Sequence, residues 1–78
     1  MVHLTPREKQ VLHYISVEMT NSQIADQLKV SKGTIAKYRR NLIWKFDCKN
    51  SVGVICKAYE EGSLPMKISK KAELLDNE

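Results

Sequence analysis

The chain predicts an all-α domain of four helices, the fold class of a small helix-turn-helix protein, with helices over about residues 6–17, 21–28, 32–46 and 51–61. Three observations carry that prediction. Two capping boxes, Thr5 with Glu8 and Thr20 with Gln23, each mark a helix start. Apolar residues recur at helical spacing within each segment. The connections are so short that successive helices must cross sharply.

The first helix starts at "LTPRE", with Thr5 as N-cap and Pro6 at the first helical position, where its missing N–H costs nothing. Val11, Leu12 and Ile15 then share one stripe, and Lys9, Gln10, His13 and Ser16 lie outside it. Glu8 falls inside that stripe, so it must serve the cap or find a cation. The second helix starts at "TNSQIADQL" and turns Ile24, Ala25 and Leu28 inward. After Leu28 come Lys29, Val30 and Ser31, the last placed to cap a longer third helix. A fourth helix begins at Asn50 or Ser51 and stops at Gly62, with Pro65 beyond. Its residues Val52, Ile55, Cys56 and Tyr59 are spaced to face the core. The domain is expected over 1–62, and residues 63–78 read as a polar, flexible tail with one weak turn after Ser69.

Seventy-eight residues allow one modest core and leave little room for a large enzyme pocket. The chain carries +4 overall, yet residues 29–49 hold seven bases against the single acid Asp47, a local +6 that leaves −2 for the remainder. That concentration points to a phosphate-bearing partner. No nucleophile, base and orienting group come together in the sequence, so an enzyme is not expected. Cys48 and Cys56 fit no metal or redox spacing and are expected as thiols; His3 and His13 complete no ligand set. No cofactor is implied. With no long apolar run and no leader pattern, the expected location is the cytoplasm, without membrane attachment.

The third helix resolves into two faces. Ile35, Tyr38, Leu42 and Phe46 form the inward one. Gly33, Ala36, Lys37, Arg40, Asn41 and Trp44 lie opposite, with Thr34 and Lys45 at one flank. Arg and Lys can reach guanine O6 and N7, and the Ala36 methyl can touch thymine, so Ala36, Lys37 and Arg40 are the candidate base contacts. Ser31, Thr34 and the cations Lys32, Lys45 and Lys49 suit phosphate oxygens. Arg39 lies only about 40° from the inward centre, and two readings stand side by side: it pairs with Glu8, as two half-buried charges of opposite sign, or Glu8 serves its capping box alone. Trp44, outward and one turn beyond Arg40, has no firm assignment; the sugar–phosphate edge is one place for it. On the fourth helix Val54 and Ala58 form a second narrow apolar stripe, expected as a contact between two copies bound to half-sites.

Taken together, "LTPREKQVL", "TNSQIADQL", "VSKGTIAKYRRNLIWKF" and "KNSVGVI" resemble the four-helix DNA-binding domain of the LuxR, or GerE-like, transcription regulators, over residues 4 to about 61. The resemblance implies a helix-turn-helix made by the second and third helices, with the third in the major groove of double-stranded DNA and the fourth available for dimerisation. It implies base reading at Ala36, Lys37 and Arg40 and phosphate contact at Thr34 and Asn21. Ala36 stands where the family often has lysine, and Glu18 and Asp47 stand where it often has glycine. Such a chain is either a stand-alone regulator or a fragment of a larger one. Two other readings compete: a module that contacts RNA polymerase or masks another regulator, and a promoter-reading domain of a sigma factor, which the fourth helix fits poorly.

Overall fold

A computed structural model describes residues 2–64 of the chain. The expected tail from Pro65 onward, with its weak turn, lies outside the described residues. Four helices follow one another: α1 (Pro6–Ser16), α2 (Asn21–Leu28), α3 (Lys32–Phe46) and α4 (Ser51–Glu61). The described residues are all-α, as the caps and spacing predict. α3 packs against each of the other three helices, and α4 also closes against α1.

Both capping boxes form. Thr5 Oγ1 accepts from Glu8 N–H while Glu8 Oε1 accepts from Thr5 N–H at 2.9 Å. Thr20 and Gln23 exchange the same two bonds at 3.1 and 2.9 Å. Ser31 caps α3 by accepting from Thr34 N–H, and Asn50 caps α4 through Gly53 N–H. Each cap satisfies a donor that the first helical turn leaves without an intrahelical partner. Three non-glycine residues take positive φ at the junctions: Glu18 (64°), Lys29 (57°) and Asp47 (54°). Two of these are the positions where the resemblance expects glycine, so the turns keep their geometry and the side chains bear the strain. Gly62 (φ 85°) ends α4, and Leu64 then folds back to donate its N–H to Ala58 O at 3.2 Å.

The core consists of Leu4, Val11, Leu12, Ile24, Ala25, Ile35, Leu42, Phe46, Val54, Ala58 and Leu64. Leu64 therefore belongs to the packed domain, two residues past its expected end. The stripes expected of α1, α2 and α3 turn inward as the helical period requires, with Ile15, Leu28 and Tyr38 half-buried at their margins.

The rotation of α4 reverses the expectation. Val54 and Ala58, expected as an exposed contact between copies, are 1% and 0% exposed. Val52 is 72% exposed and Cys56 is also on the surface, while Ile55 and Tyr59 are half-buried. Three contacts hold this rotation. Ser51 Oγ accepts from Arg39 Nη1 at 2.9 Å. Lys57 Nζ donates to Phe46 O at 2.9 Å, placing a cation on the carbonyl end of α3. Gly53 lies so close to Cys48 that a Cβ added there would stand 3.1 Å from Cys48 Cβ. The smaller stripe goes inside because it lets the α4 backbone approach the loop and α3, which Tyr59 or Ile55 would hold away.

Candidate nucleic-acid interface

The candidate interface is built on α2, the three-residue turn Lys29–Ser31 and α3. The turn is tight because Lys29 adopts the left-handed conformation and Val30 N–H returns to Ala25 O at 3.0 Å. Val30 packs against the core, so the angle between α2 and α3 is set by burial as well as by backbone geometry.

On α3 the inward residues Ile35, Leu42 and Phe46 are buried, which fixes the opposite face toward solvent. Lys32, Gly33, Lys37, Arg40, Asn41 and Trp44 are exposed on it, with Ala36 and Thr34 half-buried at its edge. Among the described residues Lys37, Arg40, Lys32 and Lys49 form no ion pair. Lys37 and Asn41 line an open depression with Thr34 and Tyr38. Ser31 and Thr34 share a hydroxyl–hydroxyl hydrogen bond of 2.9 Å at the start of α3, beside backbone N–H groups that have no intrahelical acceptor.

Two other cations of α3 serve the fold. Lys45 Nζ bonds Glu8 Oε1 at 2.7 Å and His3 O at 3.1 Å. Lys45 was expected on a phosphate, and Glu8 was expected to pair with Arg39 or to serve its cap alone; the structure instead joins Lys45 to Glu8. The Glu8 carboxyl is buried, which alone would raise its pKa, but the Lys45 ammonium and the Thr5 N–H and hydroxyl outweigh burial and hold it below its ordinary value of 4.5. Glu8 is thus both capping residue and salt-bridge acceptor.

Arg39 has turned to the other flank. Its guanidinium donates Nε–H to Asn21 Oδ1, Nη1–H to Ser51 Oγ and Nη2–H to Met19 O at 3.4 Å, so it ties the starts of α2 and α4 and the α1–α2 turn to α3. All three acceptors are neutral. Burial pushes the Arg39 pKa down, but a guanidinium remains charged in any ordinary solvent. Asn21, expected at a phosphate, is half-buried with its carboxamide oxygen held by Arg39, which leaves the Nδ2 donors unused by that contact. Lys57, Arg39 and Lys45 are residues whose contacts sequence reasoning missed; no local pattern marks them, since each reaches another element of the chain.

A short capped helix, a tight turn and a longer helix with one buried and one cationic face define a helix-turn-helix nucleic-acid-binding domain. The family model for bacterial regulatory proteins of the luxR family, GerE, matches residues 2–58. The chain belongs to that family, whose members are DNA-binding transcription regulators. It is 32% identical over 59 residues to the transcriptional regulatory protein DesR of Bacillus subtilis, covering 76% of this chain and 30% of DesR. It is 34% identical over 59 residues to the response regulatory protein YgeK of Escherichia coli, covering 76% of this chain and 40% of YgeK. With the quorum sensing-dependent transcriptional regulator VjbR of Brucella abortus it shares 30% over 63 residues, 81% of this chain and 24% of VjbR. The chain thus matches less than half the length of these relatives. Among the described residues no helix is long and apolar enough to cross a membrane.

Proposed function

We propose that this chain binds double-stranded DNA in a sequence-dependent way to regulate transcription, with α3 in the major groove. The observation that supports this most is the division of labour among the α3 cations. Arg39 and Lys45 are engaged within the domain, whereas Lys37 and Arg40 share the outward face and are unpaired among the described residues. Such a division leaves long donors pointing away from a rigid scaffold, which is what base readout needs.

Lys37 and Arg40 read base edges, and Ala36 offers a methyl to the groove floor. Asn21, Ser31, Lys32, Thr34 and Lys49 address phosphate oxygens; the ammonium of Lys45 is already committed to Glu8 and leaves this set. Two copies on adjacent half-sites, with centres about 10 bp apart, are the arrangement for such a small reader. Because Val54 and Ala58 are interior, the contact between copies falls to the outward residues of α4, Val52 and Cys56.

Selection from a random duplex pool tests the reading. It predicts an enriched motif, bound about a thousandfold or more tighter than random duplex at physiological salt. Recovery of no motif, with equal affinity for all duplexes, would contradict it and favour a protein-contacting role for the basic face. Within the selected motif, Val52→Glu should abolish cooperative binding to paired half-sites while leaving binding to a single half-site intact.

A further inference from the structure

The indole of Trp44 is 81% exposed on α3, and the chain has no other tryptophan. On the helical wheel it lies about 20° from Lys37 and about 40° from Arg40, so it belongs to the same outward stripe. It stands about 6 Å along the axis beyond Arg40 and about 10 Å beyond Lys37. A major groove is only about 12 Å wide, so when Lys37 and Arg40 reach the floor, a side chain that far along meets the wall.

From this geometry we propose that Trp44 is a DNA contact of its own, its ring laid on a deoxyribose of the groove wall and its Nε1–H donated to a phosphate oxygen. The proposal rests on the seating of α3 proposed above. An indole has the chemistry for this edge, with a broad apolar face and one donor. The helix is held rigidly on either side of the residue by the buried Leu42 and Phe46, and the neighbouring Lys45 is bridged to Glu8. Residues 30–46 contain no acid to repel a phosphate. A carboxylate near this face belongs to Glu61, which lines an open depression with Trp44, Val2, His3 and Lys45. Glu61 Oε2 accepts from Val2 N–H and Ser63 Oγ–H, at 3.3 and 3.1 Å, and so is already engaged.

Because the contact is uncharged and sequence-blind, it adds affinity without adding specificity or counterion release. That combination separates it from a lysine–phosphate contact.

The test uses the full chain and a duplex recovered by selection. Binding is followed by the anisotropy of a labelled duplex, and Trp44 is followed by its own emission and its quenching by acrylamide with unlabelled duplex. The proposal predicts that emission changes saturate with the anisotropy and that quenching falls at least about twofold in the complex. Trp44→Ala should weaken selected and random duplexes by the same factor, about tenfold by analogy with aromatic contacts to single strands, with the salt slope unchanged. Trp44→Phe should recover part of the loss. A duplex bound by anisotropy while Trp44 stays as quenchable as in the free protein, and Trp44→Ala binding as wild type, would overturn the proposal and leave DNA binding standing. Protection of Trp44 that grows with protein concentration in the absence of DNA would overturn it in favour of a second copy. No duplex binding at all would remove the seating of α3 and this contact together.

Discussion

Glu8 is buried, yet it closes a cap and meets Lys45 at 2.7 Å, so its charge is matched on both counts. Removing the ammonium leaves that carboxylate without a counter-ion, and Lys45→Met should cost about 3 kcal/mol in denaturant unfolding. A double-mutant cycle should find coupling between Glu8 and Lys45 and none between Glu8 and Arg39. The folded Glu8 pKa is depressed, so the stabilisation is complete above 4.5 and is lost as pH falls through the lowered folded value. Thermal midpoints of the wild type should therefore drop on acidification below 4.5 more steeply than those of Glu8→Gln. Arg39 is the second residue with an internal task, and Arg39→Ala should cost about 2 kcal/mol by freeing acceptors on three segments. The helical period correctly put both Glu8 and Arg39 near the core but could not pair them. Arg39 and Lys45 lie on opposite flanks of the buried stripe of α3, and only the packing decides that α1 lies on the Lys45 side while α2 and α4 meet Arg39. Lys45 in addition reaches inward from a flank position along its four-carbon stem, a distance that a wheel of Cα positions does not record.

The helix starts were legible because a capping box is a local code, complete within four residues. The faces of α1, α2 and α3 were legible for a related reason, each having one apolar stripe. α4 offers two, and choosing between them depends on Ser51 reaching Arg39, on Lys57 reaching the end of α3, and on Gly53 fitting against Cys48. None of those is visible in the spacing of its apolar residues. The observed rotation has a direct check. Val54→Asp should unfold the domain or cost more than about 3 kcal/mol, while Val52→Asp should change stability by less than about 0.5 kcal/mol. The opposite ranking would restore the expected face. At the α1–α2 junction, Glu18 carries φ 64° with its side chain exposed. Glu18→Gly should raise the stability by about 0.5–1 kcal/mol, measured by urea unfolding, because relief of left-handed strain outweighs the entropy a glycine adds to the unfolded chain.

At the scale of the molecule, charge and packing act on different faces. The buried residues of the four helices hold α3 from behind, and the +6 of residues 29–49 is divided between cations that fasten the domain and cations that face outward. Composition revealed the excess of charge; only the three-dimensional arrangement tells which cations remain available. The candidate surface was thus legible as a helix face, with Lys37 and Arg40 exposed on it, but Lys45 had to leave the phosphate set and Val54 and Ala58 had to leave the surface. Replacing Lys49, an exposed cation just beyond α3, by alanine should weaken all duplexes alike and reduce the salt slope by about one. The most direct test of base reading by α3 is the affinity ratio between the selected motif and random duplex at about 150 mM salt, compared between wild type and the Lys37→Ala, Arg40→Ala double variant. Loss of one or more bidentate base contacts predicts that the ratio collapses by at least about tenfold, with the thermal midpoint unchanged. A ratio that survives the double substitution would contradict the assignment of sequence reading to this face.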